Sequence, residues 1–79
     1  MYYVYILQCA DLTYYTGCTN NLKKRLKEHN GSKTGAHYTK IRRPVSLKYF
    51  EEYETLADAR KREAEIKRFD RVEKEKLIV

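Results

Sequence analysis

An apolar segment, Tyr2-Tyr3-Val4-Tyr5-Ile6-Leu7, is followed after a short turn by Thr13-Tyr14-Tyr15-Thr16-Gly17-Cys18. The first segment is apolar at odd and even positions alike, which predicts a central strand covered on both sides. Residues 10–12 predict the turn, and the second segment returns antiparallel. A three-residue loop pairs residues whose numbers sum to 22, so that Tyr15 lies diagonal to Tyr5 on one face. A two- or four-residue loop would send the two tyrosines to opposite faces.

Capping residues and helical periodicity predict a helix after the hairpin. Thr19 or Asn20 caps this first helix, which runs to about Asn30 and stops at Gly31. Residues 31–44 then predict a loop that is long for so small a chain, and long ordered loops are often functional.

The second half of the chain predicts one strand and two helices. Residues 45–53 mix apolar with polar side chains and predict the third strand. Thr55 with Asp58, and Asp70 with Glu73, are capping-box signatures that open a second helix and a short third helix. The sequence therefore predicts a single α+β domain of 79 residues, in which a small three-stranded antiparallel sheet is flanked by about three helices.

The net charge of +6 is concentrated in one part of the chain. Residues 12–43 hold eight Lys and Arg residues against the single acid Glu28, whereas residues 44–79 hold nine basic and nine acidic residues. Localised positive charge attracts polyanions, and nucleic acid is the commonest polyanion in a cytoplasm. A solvated helix face is the alternative explanation.

Composition argues against a membrane or a secreted protein. No apolar run approaches the ~18 residues that span a bilayer, and the N-terminus shows neither a basic leader nor a small-residue cleavage site. We therefore expect a soluble, cytoplasmic protein. In that compartment Cys9 and Cys18 predict two small apolar side chains rather than a disulfide or a zinc site, since C-x-x-C spacing is absent.

Three polar residues occupy unusual positions on the predicted helices. Arg25 and His29 lie one turn apart on a boundary face of the first helix. Glu63 projects among the inward residues of the second helix, where a carboxylate is costly unless it is paired, hydrogen-bonded or bound to a metal. A helical salt bridge with Arg60 or Lys67 is the alternative explanation.

The order and spacing of these residues resemble the GIY-YIG nuclease family. Tyr3-Val4-Tyr5 stands in the place of the first triplet and Tyr15-Thr16-Gly17 in the place of the second, followed by Arg25, His29 and a helical Glu63. Each triplet alone is a weak signal. The combination is specific, and it covers almost the whole chain.

The stretch of residues 33–39 further resembles the small, stand-alone bacterial members, which are similar to the N-terminal domain of the excision-repair incision subunit. The match also has departures. Tyr3 replaces the first glycine of the family pattern, and the β-branched Val4 and Thr16 replace isoleucines. Cys18 stands where some repair-type members have lysine.

The resemblance implies hydrolysis of a DNA phosphodiester with one divalent metal, Mg²⁺ or Mn²⁺. Tyr5 and Tyr15 would line the site, one activating the water and the other orienting it. Arg25 would bind the scissile phosphate, because a guanidinium binds phosphate bidentately and stays charged. His29 would support the water or the phosphate, and Glu63 would supply the hard oxygen ligand that Mg²⁺ prefers.

Basic residues of the first helix and the adjoining loop are predicted to contact DNA: Lys23, Lys24, Lys27, Lys33, Lys40, Arg42 and Arg43. The substrate would be DNA, in branched, nicked or damaged form. Few contacts allow little sequence choice, so a protein partner is one source of specificity. Two alternatives stay open, a non-catalytic nucleic-acid-binding module and an adaptor in a repair complex.

Overall fold

A computed structural model describes residues 1–31 and 36–78. Over these residues the chain forms three strands and four helices, in the order β1 (Tyr2–Gln8), β2 (Tyr14–Thr19), α1 (Leu22–Gly31), α2 (His37–Lys40), β3 (Ser46–Tyr53), α3 (Leu56–Lys67) and α4 (Arg71–Ile78). The predicted α+β class with a three-stranded antiparallel sheet is confirmed. The expectation of about three helices is corrected to four, because the region predicted as a loop contains the short helix α2.

The sheet has the strand order β2-β1-β3, so β1 is central, as its two apolar faces predict. Strands β1 and β2 pair with Leu7 opposite Tyr15 and Tyr5 opposite Gly17, which confirms the predicted register. Leu12 ends the intervening turn with φ of 69°. A residue in this left-handed region is what a three-residue hairpin loop requires.

The two faces of the sheet pack against different helices. Val4 and Ile6 are fully buried beneath α3. Tyr5 and Leu7 point the other way and pack against the leucines of α1, in a cluster that also contains the buried Cys9. Fully burying a Val, Ile or Leu side chain contributes about 1.5–3 kcal/mol, so alternate residues of β1 stabilise both layers.

The predicted caps of the two C-terminal helices are confirmed. The hydroxyl of Thr55 accepts a hydrogen bond from the backbone N–H of Asp58 at 3.2 Å, at the start of α3. Before α4, Asp70 and Glu73 each accept from the other's backbone N–H, at 2.9 and 3.2 Å. Among the helices in the described ranges, none combines the length and apolar character needed to cross a membrane.

The predicted cap of α1 is wrong by one residue. The side chain of Asn21, rather than that of Thr19 or Asn20, accepts from the backbone N–H of Lys24 at 3.0 Å. The reason is that β2 continues to Thr19, whose hydroxyl accepts instead from the N–H of Asn21 at 3.1 Å.

Candidate active site

A cavity of about 460 Å³ opens between the β1–β2 hairpin, α1 and α3. Its lining includes Tyr5 from β1, Tyr15 and Gly17 from β2, Arg25 from α1, and Glu63 from α3. Four of the five residues predicted to be catalytic therefore border one space, although they come from four separate elements. Tyr15 reaches the cavity beside Tyr5 because the hairpin register puts both side chains on one face.

Gly17 is required here by the close approach of Tyr5, which lies directly opposite it in the hairpin. A Cβ atom at Gly17 would overlap the Tyr5 hydroxyl and would lie 2.5 Å from its Cζ atom. The glycine of the second triplet therefore makes room for the ring of the first triplet's tyrosine. In this chain the two positions are therefore sterically linked.

The fifth predicted residue, His29, lies behind the cavity rather than in its wall. It is fully buried, and its Nε2 atom is 2.9 Å from the hydroxyl oxygen of Tyr5. The ring also meets those of Tyr5 and Tyr15 edge to face, with centroid separations of 5.9 and 5.2 Å. His29 was expected to support the water or the phosphate, and in this arrangement its direct contacts are with the two tyrosines.

Burial sets the protonation of this pair. It raises the pKa of Tyr5 to about 12, although the neighbouring Arg25 guanidinium acts in the opposite direction. Burial, followed by the positive charge of Arg25, lowers the pKa of His29 to about 4. At neutral pH a protonated phenol therefore faces a neutral imidazole.

Glu63 carries both features that the sequence predicted as alternatives. Its carboxylate pairs with Lys67 one helical turn away at 3.1 Å, and it also borders the cavity. The side chain of Lys67 is half exposed, and exposed pairs of this kind contribute at most about 0.5 kcal/mol. So weak a pair leaves the carboxylate available to a second partner on the cavity side.

The cavity fits a divalent ion that is bound through one carboxylate. In the parts of the chain that the structure describes, no three His, Cys, Asp or Glu side chains cluster as a metal site. Mg²⁺ commonly binds through one or two carboxylates and fills its remaining positions with waters and substrate phosphate oxygens. Glu63 beside an open space of about 460 Å³ matches that requirement.

The seven residues predicted to contact DNA fall into different environments. Lys23, Lys24 and Lys27, called here the α1 lysines, are exposed on the outer side of α1. Lys40 is half-buried on α2, and Lys33 lies outside the described residues.

The remaining two predicted contacts, Arg42 and Arg43, make bonds within the molecule. Arg42 binds Asp11 at 3.0 Å and lies over the ring of Tyr38. Arg43 donates to the backbone carbonyls of His29 and Glu28, at 2.6 and 3.2 Å. These contacts favour a structural contribution from both arginines, since each fixes the segment around α2.

Two neighbours of the site were missed by sequence reasoning, and both lie on α2. Tyr38 stacks on Tyr15 with ring centroids 5.8 Å apart. The Thr39 hydroxyl lies 2.6 Å from Nδ1 of His29. The available signal was the resemblance of residues 33–39 to small members of the family, but that resemblance assigned no role to either side chain.

The family model described as the GIY-YIG catalytic domain matches residues 1–76. The chain therefore belongs to the GIY-YIG family, as the spacing of its two triplets predicts. Within the family it is similar to proteins that carry the name UPF0213. It is 57% identical over 76 residues to the one from Syntrophus aciditrophicus, a match that covers 96% of this chain and 87% of the relative. It is 43% identical to the one from Halobacterium salinarum, with 99% and 100% of the two chains covered.

Two solution NMR structures share the fold. The UPF0213 protein of Bacillus halodurans has 39% identity and a TM-score of 0.62, over 99% of this chain and 83% of that one. A protein of E. faecalis has 40% identity and a TM-score of 0.64, over 95% and 79%. Because the coverage is high on both sides, these relatives are small proteins with little beyond the shared domain.

Proposed function

We propose that this protein is a divalent-metal-dependent endonuclease that hydrolyses phosphodiester bonds in DNA. The observation that carries the proposal is the convergence of Tyr5, Tyr15, Arg25 and Glu63 on one cavity. Membership of the GIY-YIG family supports nuclease chemistry.

Arg25 is assigned to the scissile phosphate. Its guanidinium borders the cavity on the side of Tyr5 and provides a permanent positive charge with paired donors. Such a group offsets the charge that develops on the phosphate oxygens in the transition state. Glu63 would hold Mg²⁺ or Mn²⁺ on the α3 side, where a bound ion supplies Lewis-acid polarisation of the phosphate.

Tyr5 is assigned as the group that accepts a proton from the attacking water, and Tyr15 as the group that orients the water. The Tyr5 hydroxyl pairs with Nε2 of His29 at 2.9 Å, so the oxygen can take a proton from water while the phenolic proton moves to the imidazole. In the free protein the pKa values of about 12 and about 4 oppose that transfer. A bound phosphodiester adds negative charge near the pair and favours the imidazolium form.

DNA binding is assigned to the exposed α1 lysines, together with Lys40. A contact set of this size gives weak, salt-sensitive binding with little base readout. We therefore propose that the shape of the DNA, such as a nick, a flap or a fork, or else a protein partner, supplies the selectivity.

The test is incubation of the pure protein with nicked, flapped and forked DNA in the presence of Mg²⁺ or Mn²⁺. We expect metal-dependent cleavage that is lost in both Glu63→Ala and Arg25→Ala. Cleavage that survives both substitutions would come from a contaminant or from another site, and would contradict the proposal.

A non-catalytic nucleic-acid-binding module is the second candidate. The protonated Tyr5 and neutral His29 of the free protein favour it, because neither group is a strong base in that state. It predicts metal-independent, salt-sensitive binding of DNA by the wild-type protein, with no cleavage on any of the three DNA forms.

A further inference from the structure

Thr39 connects the short helix α2 to His29 at the back of the site. Both side chains are fully buried. The Oγ1 atom of Thr39 is 2.6 Å from Nδ1 of His29, and it also donates its hydrogen to the backbone carbonyl of Ala36 at 2.9 Å.

The direction of each hydrogen bond depends on which groups can donate and which can only accept. A threonine hydroxyl has one hydrogen, and Thr39 gives that hydrogen to the Ala36 carbonyl. With its hydrogen on this carbonyl, which can only accept, the Thr39 oxygen accepts from Nδ1 of His29, and Nδ1 then carries the proton. In a neutral imidazole the other nitrogen is then an acceptor, so Nε2 presents its lone pair to the hydroxyl of Tyr5.

We propose that Thr39 is a positioning residue that sets the tautomer of His29, so that the Tyr5 hydroxyl donates to the histidine. One lone pair of the Tyr5 oxygen accepts from the Arg25 guanidinium, and the other is then left for a water on the cavity side. The opposite tautomer would place a hydrogen on Nε2, and the Tyr5 oxygen would have to accept it. The catalytic part of this proposal rests on the proposed nuclease function, whereas the tautomer does not.

Thr16 provides a matched control within the same chain. It is also a buried threonine, in β2, and its Oγ1 atom has no hydrogen-bond partner within residues 1–31 and 36–78. Replacing either threonine with valine keeps the β-branched shape and removes only the hydroxyl. The two substitutions therefore separate the general effect of losing a buried hydroxyl from the specific effect of losing the acceptor for His29.

The direct test is a long-range ¹H–¹⁵N NMR spectrum of the histidine side chains at neutral pH, without DNA or metal. We expect wild-type His29 to carry its proton on Nδ1, and expect the same of Thr39→Ser and Thr16→Val. Thr39→Val should move His29 toward the Nε2-protonated tautomer. A wild-type His29 protonated on Nε2 would overturn the proposal, even if Thr39→Val does not fold. An unchanged tautomer in folded Thr39→Val would do the same.

The catalytic consequence is read from cleavage kinetics of the same variants. We expect Thr39→Val to lower kcat about 100-fold with little change in KM, because acid–base groups contribute about that much or more. Thr39→Ser should restore most of the rate, and Thr16→Val should match the wild type. An altered tautomer with an unaltered kcat would overturn the positioning role. Absence of cleavage by the wild type would instead contradict the nuclease function and leave the tautomer result standing.

Discussion

In the described part of the chain, two groups of side chains have the same composition: two tyrosines, one arginine and one glutamate. In the first, called here the closed set, the side chains hydrogen-bond to one another. In the second, called the open set, they surround a cavity. The closed set is Tyr49, Tyr53, Glu51 and Arg62, between β3 and α3. Both tyrosine hydroxyls donate to the Glu51 carboxylate, and Arg62 binds the same carboxylate through two nitrogens at 3.0 and 3.2 Å. Its members hydrogen-bond to one another.

The open set is Tyr5, Tyr15, Glu63 and Arg25, and its members are arranged around about 460 Å³ of space. Exposure does not separate the two sets, because the side chains of Glu51 and Glu63 are 18% and 17% exposed. What differs is the partner of the carboxylate. Glu51 is held by three neighbours, whereas Glu63 forms a weak pair with the half-exposed Lys67. Residue types alone therefore do not define a site.

The largest expected difference between the sets comes from removing each carboxylate. Glu63→Gln should lower the cleavage rate about 1,000-fold, since a metal ion contributes several kcal/mol to phosphoryl chemistry. Glu51→Gln should leave cleavage nearly unchanged and lower the free energy of unfolding by about 1–2 kcal/mol, because Arg62 loses its charged acceptor. Cleavage assays and urea unfolding measure both quantities. Equal loss of cleavage in the two variants would remove the distinction.

The arginines give the next largest difference. Arg25→Lys keeps the charge but loses the paired donors, and should lower kcat about 100-fold. Arg62→Lys should affect the free energy of unfolding rather than the rate, because Arg62 holds Glu51 and not the cavity. A rate that falls in Arg62→Lys and not in Arg25→Lys would reverse the assignment.

The sequence predicts which elements carry the residues of the open set and which faces of those elements they occupy. The three-residue turn fixes which face of β2 carries Tyr15, and the boundary position of Glu63 on α3 follows from helical periodicity. The family resemblance supplied the rest of the set. By contrast, the closed set could not be predicted, because Glu51 and Arg62 meet only when β3 packs on α3.

The surroundings of His29 could not be predicted from the sequence either. Its position one turn from Arg25 was predictable, but its complete burial depends on α2, which has four residues and no helical periodicity to signal it. The contact between Thr39 and His29 joins positions ten apart in the chain. Arg42 and Arg43 were predicted to contact DNA because the sequence shows their charge but not their partners. Asp11 and the end of α1 become their partners only in the folded chain.

The dependence of protein stability on acid pH tests the environment of His29, which contacts the two tyrosines of the open set. Its pKa of about 4 in the folded protein lies below the ordinary value of 6.5. Between these values the unfolded chain binds more protons, so stability is complete above pH 6.5 and falls as pH drops toward 4. We expect a loss of about 2 kcal/mol between pH 7.5 and pH 5, measured by urea unfolding.

Two variants control this measurement. His29→Gln should lack the loss, whatever its stability at neutral pH. His37→Gln removes an exposed histidine of α2 and should retain the loss in full. A wild-type protein with no loss between the two pH values would contradict the burial of a neutral His29.

The smallest expected effect concerns DNA binding by the α1 lysines, on the basic side of the open set. Replacing all three with glutamine should reduce the slope of log Kd against log salt by about 2–3. The control removes three exposed charges that lie on α3, at its C-terminal end and on α4: Lys61, Arg68 and Lys76. Fluorescence anisotropy measures both. Equal slopes in the two triple variants would show that α1 is not the DNA-contacting side.

The most direct test of the open set is a map of Mn²⁺ binding by paramagnetic broadening of backbone amide signals, without DNA. We predict that broadening is centred on Glu63 and on the neighbouring part of strand β2 around Gly17. It should be lost in Glu63→Gln and persist in Glu51→Gln. Broadening centred elsewhere, or a pattern that Glu63→Gln leaves unchanged, would contradict the assignment of this cavity as a metal-dependent active site.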